Sequence, residues 1–201
     1  MLPVFQYEDF VRKVKRKKIE KGVTVFGILI CDYRQQSCRE YILNYLNRFH
    51  KLAGKNMDFY LPGYVEEYQS YTEEDTIRID NKRYYFVPEI YEEFLDNLSN
   101  DFDIPFPYNS NLILMEYEGG HFKKSKKVII ELGSSEKNIQ KVGELFEEIF
   151  NIAQNKVDLK KMMRELGKNQ IRDNFWDMLI ELIDNKYLTK VKELYEVYRL
   201  K

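Results

Sequence analysis

The residues with the most chemical potential lie where the first predicted buried strand runs into a helix. Val23–Ile30 (VTVFGILI) is apolar and rich in β-branched residues, which predicts a buried strand. Ser37 and Glu40 have capping-box spacing and predict a helix that begins at Ser37 and continues to Leu52. Cys38 would lie in the first turn, where the helix dipole lowers a thiol pKa. Cys38 is therefore the candidate catalytic nucleophile or redox-sensing thiol.

Polar and aromatic side chains at the ends of the first two strands are candidates for ligand binding. They are Asp32, Tyr33, Arg34 and Gln35 after the first strand, and Tyr60 and Tyr64 around the end of the second. Ligands of open α/β sheets bind at the carboxyl ends of strands. Free N–H groups at the helix start, with Arg34, favour an anion, and the tyrosines would wall the pocket. A capped polar loop and tyrosines packed in the core are the alternative interpretation.

The remaining cysteine and histidines have no metal-ligand or dithiol spacing. Cys31 ends the strand and is expected to point away from Cys38, and His50 and His121 are isolated in sequence. Neither CxxC nor HExxH occurs, so we predict no metal site, no cofactor and no structural disulfide. Such cysteine usage favours a reducing, cytoplasmic compartment.

Two basic runs raise the possibility of nucleic-acid binding. The first is Arg12–Lys21, and the second comprises Lys123, Lys124, Lys126 and Lys127. Lysine and arginine contacts with phosphates would give salt-dependent binding. The formal net charge is −1 and no nucleic-acid-binding motif accompanies the runs, so a solvated face or a surface for an acidic partner is favoured.

Composition sets the broad class of the protein. Of 201 residues, 44% are hydrophobic and 32% are charged, which predicts an apolar core under a charged surface. The chain has no apolar run of the ~18 residues that a membrane-spanning helix needs, and its first residues lack signal-peptide order. Abundant Lys, Asn, Ile and Tyr are typical of AT-rich bacterial genomes, so we expect a bacterial, cytoplasmic protein.

The periodicity of apolar residues predicts the elements that must position these groups. In chain order they are a helix at Tyr7–Lys21, the strand and helix above, a strand at Met57–Leu61, a hairpin of Thr76–Ile79 and Lys82–Val87, a helix from Pro88 to Asn100, a hairpin of Asn111–Tyr117 and Lys127–Leu132 with His121 in its loop, and a helix ending at Gln154. After Asn155 only helical patterns follow, at Asp158–Leu166, Gln170–Asp184 and Leu188–Leu200. The predicted organisation is an α/β domain at 1–154 and a helical extension at 155–201.

Without the small hairpin, the order is a βαβ unit followed by a ββα unit, which resembles the thioredoxin fold over Val23–Gln154. The likeness extends to the cysteine at the helix start and to a proline before the third core strand, Pro105 or Pro107. In place of the family's CxxC stand Gln35-Gln36-Ser37-Cys38, so the resemblance implies the scaffold without dithiol exchange. A flavodoxin-like doubly wound sheet is the rival fold. The Gly119-Gly120 hairpin argues against it, because parallel strands need crossovers.

The function predicted from these features is a non-catalytic binding or adaptor protein. Its cleft would lie at the carboxyl ends of the first two strands and take a protein partner or a small anionic ligand. One alternative is a single-cysteine thiol enzyme or redox sensor that uses Cys38. The other is a nucleic-acid or nucleotide binder that uses the basic N-terminal helix.

Overall fold

A computed structural model describes residues 2–4, 6–17, 23–40, 50–52, 57–66, 76–79, 81–104, 110–132, 136–155 and 157–166 of the chain. The predictions for Pro105, Pro107 and the helices after Gly167 lie outside these residues. In the described part, two β-sheets and their helices form an α/β protein, which confirms the predicted class.

The strands are β1 (Leu2–Val4), β2 (Thr24–Ile30), β3 (Asp58–Pro62), β4 (Tyr64–Glu66), β5 (Thr76–Ile79), β6 (Lys82–Phe86), β7 (Asn111–Glu118) and β8 (His121–Glu131). The helices are α1 (Tyr7–Lys17), α2 (Pro88–Phe102), α3 (Glu136–Ala153) and α4 (Leu159–Leu166). Residues 36–40 and 50–52 are also helical.

The larger sheet has five strands in the order β1-β3-β2-β7-β8, with β2 at its centre. β1, β3 and β2 are parallel, whereas β7 is antiparallel to β2 and to β8. This central position explains why the sequence of β2 is apolar. Every residue after Thr24 is buried, and all of them except Gly27 have hydrophobic side chains. β4, β6 and β5 form a separate antiparallel sheet. β1 and β4 were not predicted.

Successive side chains of β2 and β3 point to opposite faces of the larger sheet, and helices pack on both faces. On one face, the ring of Phe10 in α1 lies 5.7 Å from Phe26 and 5.1 Å from Tyr60. Phe94 of α2 joins this cluster, 5.6 Å from Phe10. On the other face, Phe59 lies 4.9 Å from Phe150 of α3. The core therefore consists of one apolar layer on each side of the sheet.

The hairpin of β7 and β8 is tighter than predicted. Gly119 and Gly120 form the whole turn, with φ values of 60° and 85° that favour glycine. The prediction of a basic loop with His121 in it is wrong, because β8 begins at His121 and pairs with β7 from Glu118 onward. β8 is an edge strand, and exposed lysines along such a strand oppose pairing with another chain.

A buried carboxylate connects the start of the predicted extension to the sheet. Glu116 of β7 has no exposed surface, and its Oε2 accepts a hydrogen bond from the backbone N–H of Leu159 at 3.1 Å. Its other oxygen pairs with Lys126 of β8. α4 buries Met162 and Leu166. This first helix of the predicted extension is therefore held against the α/β domain.

We expect Gly27→Ala to destabilise the protein by about 1–3 kcal/mol, the usual cost of overpacking a core. A Cβ at Gly27 would lie 2.5 Å from Cε1 of Phe59, whose ring is already packed against α3. Urea unfolding of the variant measures the loss. Phe59→Leu is the matched control, and the double variant should recover part of the deficit. Equal stability of Gly27→Ala and wild type would contradict the close approach.

Candidate functional site

The two cysteines lie side by side at the carboxyl end of β2. Cys31 directly follows the strand, and its thiol donates to the backbone carbonyl of Cys38 at 3.5 Å. Both side chains are fully buried. The expectation that Cys31 points away from Cys38 is wrong. The chain folds back in a turn closed by the N–H of Gln35 and the carbonyl of Asp32, which brings the helix start beside the strand end.

The helix that carries Cys38 begins slightly earlier than predicted. Residue 36 is already helical, and the carbonyl of Gln35 accepts from the N–H of Arg39 at 3.1 Å. Ser37 therefore lies inside the first turn and is not the capping residue. Glu40 instead accepts a hydrogen bond from the side chain of Gln36 at 3.1 Å. Cys38 remains in the first turn, as the sequence predicted.

Ser110 is the third member of the thiol site. Its Oγ lies 2.8 Å from Sγ of Cys38 and 3.9 Å from Sγ of Cys31. The register that pairs Ile30 with Asn111 brings Ser110, the residue before β7, beside the end of β2. Its carbonyl accepts from the N–H of Leu132 at 2.7 Å, which fixes the backbone there. Sequence reasoning missed Ser110, and the only signal was its position just before the third predicted core strand.

The surroundings make the two thiols chemically unequal. The neighbouring Cys31 thiol lowers the pKa of Cys38, burial opposes this effect, and the contact with Ser110 lowers it further. Burial raises the pKa of Cys31 well above its ordinary value. The proton is therefore held on Cys31, and Cys38 is the better nucleophile of the pair.

A cluster of aromatic side chains is buried in the same core as the two cysteines. The Tyr64 ring lies 6.4 Å from Tyr33 and 5.3 Å from Phe86, and all three side chains are buried. Among the described residues, the Tyr64 hydroxyl has no hydrogen-bond partner, and it interacts electrostatically with both cysteines. Burial raises the pKa of Tyr64, so it remains a neutral phenol.

The six predicted ligand-binding residues separate into an exposed polar set and a buried aromatic set. Arg34 and Gln35 are exposed and Asp32 is partly buried, whereas Tyr33, Tyr60 and Tyr64 are buried. Tyr60 packs under α1 against Phe10, on a different side of its strand from Phe59. Their roles in binding stay predictions, and any ligand at this end would first meet the polar set.

Arg34 joins the end of β2 to α2 through two carboxylates. Its Nη2 lies 2.6 Å from Oδ2 of Asp32 and 2.9 Å from Oε1 of Glu92. The Arg34 Nε also donates to both oxygens of Asp32. Two carboxylates surround one guanidinium, so the cluster carries net negative charge and leaves Arg34 few donors for an anionic ligand.

The charge of this cluster continues along α2. That helix contains no lysine or arginine, and its exposed acidic residues are Glu89, Glu92, Glu93, Asp96 and Asp101. Its neighbour α1 exposes the basic residues Arg12, Lys15 and Arg16. The two helices meet where the hydroxyl of Tyr7 donates to Asp101 at 2.7 Å. An acidic strip therefore borders the basic helix.

Two of the four lysines in the second basic run pair with acidic side chains, and a third binds a backbone carbonyl. Lys123 lies 3.3 Å from Glu118, and Lys126 pairs with the buried Glu116. Lys127 donates to the carbonyl of Phe102. These lysines stabilise the hairpin and its contact with α2, and form no free phosphate-binding row.

His50 is partly buried in the helical segment 50–52, and His121 is exposed at the start of β8. In the part of the chain that the structure describes, no three His, Cys, Asp or Glu side chains converge as a metal site. Nor is any described helix both long and apolar enough to cross a membrane. Comparison with protein-family models, curated protein sequences and solved structures gave no match. Function must therefore be argued from the site.

Ser110→Ala should raise the pH at which Cys38 deprotonates. The lost hydrogen bond stabilises the thiolate more than the thiol, so its removal moves the pKa of Cys38 upward. NMR of protein labelled with ¹³C at the cysteine β-carbons follows each titration separately. Ser99→Ala removes a partly buried serine hydrogen bond elsewhere and should leave Cys38 unchanged. An unchanged or lower midpoint in Ser110→Ala would contradict the assigned contact.

Proposed function

We propose that this protein is a non-catalytic, cytoplasmic binding protein built on a thioredoxin-like scaffold. The order β1-β3-β2-β7-β8 supports that scaffold, because it combines a parallel βαβ unit with an antiparallel ββα unit in one sheet. The proposed binding surface comprises the polar end of β2 and the exposed side of α2, which Arg34 connects. A scaffold alone specifies no activity, so we infer the function from the groups exposed on this surface.

The observation that supports the proposal most directly is that the thiols are buried, whereas the charged side chains at the same end are exposed. A catalytic thiol must contact its substrate, yet Cys38 has no exposed surface and lies against Ser110. The groups that reach solvent at the same end are Arg34 and Glu92, whose side chains are 50% and 57% exposed. The groups that a partner can reach at this end are therefore the exposed charges and not the thiols.

The charges favour a protein partner with a basic surface. Five exposed carboxylates on α2 create a negative potential that attracts lysine- or arginine-rich segments. A small anion is disfavoured because Arg34 is already paired with Asp32 and Glu92. Nucleic acid is disfavoured because the acidic strip beside α1 would repel the phosphates that Arg12 or Arg16 attracts.

Glu92→Lys should weaken partner binding by about tenfold or more, equivalent to ~1.4 kcal/mol. The change reverses a charge at the centre of the proposed surface and breaks the ion pair with Arg34. Partners captured by the wild-type protein are first identified by mass spectrometry and then titrated against each variant at two salt concentrations.

Glu144→Lys is the matched control, since Glu144 is exposed on α3, which packs on the other face of the sheet. It makes the same change in net charge and should leave the affinity unaltered. Equal affinity of Glu92→Lys and wild type, or failure of the wild type to retain any partner, would refute the proposal.

A redox sensor centred on Cys38 is the second candidate function. Its lowered pKa and its 2.8 Å contact with Ser110 favour a stabilised thiolate. Complete burial is compatible with a small oxidant and incompatible with a folded protein substrate. In this role Cys38 would react with peroxide to give a sulfenic acid.

A further inference from the structure

Cys31 and Cys38 lie close enough in the fold to be considered as a pair that could form a reversible disulfide. We infer that peroxide converts them into an intramolecular disulfide, which makes the carboxyl end of β2 a redox modification site. The inference rests on the second candidate function, the oxidation of Cys38, and adds to it the partner that resolves the oxidised sulfur. The spacing of the two cysteines differs from a CxxC pair, so only the three-dimensional structure reveals the relation.

The geometry places both cysteines around one serine hydroxyl. The Cys31 thiol reaches the backbone carbonyl of Cys38 at 3.5 Å, so its sulfur lies against the residue that carries the other thiol. Ser110 contacts both sulfurs, at 2.8 Å and 3.9 Å, and therefore holds them on the same side. Held side by side, two groups react as though at very high concentration.

The chemistry uses one nucleophile and one resolving thiol. The Cys38 thiolate attacks hydrogen peroxide, the O–O bond breaks, and Cys38 sulfenic acid and hydroxide form. The sulfur of Cys31 then attacks the sulfur of the sulfenic acid, and the S–O bond breaks as the S–S bond forms. The Cys31 thiol proton leaves with the departing hydroxyl as water, and the proton that Cys38 released on ionisation converts the hydroxide into a second water. Two thiols have together lost two electrons, and peroxide has been reduced to two molecules of water.

The surroundings admit a small oxidant and contain a free hydrogen-bond donor. Hydrogen peroxide is uncharged and close to water in size, so even a small local opening admits it to a buried site. The hydroxyl of Tyr64 is buried and has no hydrogen-bond partner among the described residues. Its O–H is therefore a free donor in the buried surroundings of the site.

The test is peptide mapping of the whole protein after treatment with hydrogen peroxide. Remaining thiols are blocked with N-ethylmaleimide in urea, dimedone is present throughout to trap sulfenic acid, and trypsin is then added. Cleavage after Arg34 separates the two cysteines, so a disulfide between them appears as two linked peptides that a reductant releases. Cys31→Ser, Cys31→Ala and Cys38→Ser are treated in parallel.

In the wild type we expect the linked peptides and little dimedone adduct. The Cys31 variants should carry the dimedone adduct on Cys38, at a level several times that of the wild type. In Cys38→Ser, Cys31 should stay reduced, because its proton is retained.

Three results would overturn the inference. A dimedone adduct on Cys38 in wild type without linked peptides would show that Cys31 does not resolve it, while the sensor role of Cys38 stands. Absence of any Cys38 oxidation in wild type and in both Cys31 variants would refute that role as well. Linkage between two chains, detected as a dimer without reductant, would show that the disulfide is not intramolecular. The wild-type measurement decides the question even if a variant fails to fold.

Discussion

The burial of β2 on both faces and along both edges is the constraint on which the rest of the structure depends. β3 and β7 occupy its edges, and the helical layers that contact Phe26 and Phe59 cover the sheet's two faces. Gly27 provides the space into which the ring of Phe59 fits. Because β2 is held on all sides, its carboxyl end has a fixed position. That position determines where Cys31 and the following turn lie.

The position of the end of β2 determines which groups of the cysteine site are buried and which are exposed. Because the strand ends inside the core, Cys31 and the adjacent Cys38 are sealed, and hydrogen bonds between them and to Ser110 replace contact with water. Asp32 follows Cys31 directly and pairs with Arg34, which is exposed and also pairs with Glu92 of α2. A buried pair of thiols and an exposed charged surface thus lie next to each other. The buried pair accounts for the proposed redox chemistry and the surface for the proposed recognition.

Sequence reasoning predicted the elements with strong periodic or apolar signals, including β2, α2 and α3, and hence the α/β class. It missed β1 and β4, which have three residues each and too few positions to show a period. It placed Cys38 correctly in the first turn of a helix, although that helix begins before Ser37, the residue predicted to cap it. It could not predict the contacts of Cys31 and Ser110, because these depend on the register of β2 with β7. Abundant aromatic residues likewise gave no means to distinguish pocket walls from the core positions that Tyr60 and Tyr64 occupy.

The most direct test of the account is the rate at which iodoacetamide alkylates each cysteine in the native protein and in urea. If the pair is sealed as described, both cysteines should react about a thousandfold more slowly in the native state, which corresponds to ~4 kcal/mol of opening free energy. The two rates should also be similar, since one opening exposes both. Alkylation of native Cys38 at nearly the rate seen in urea would contradict the account, because an accessible thiol there would make an enzyme the better interpretation.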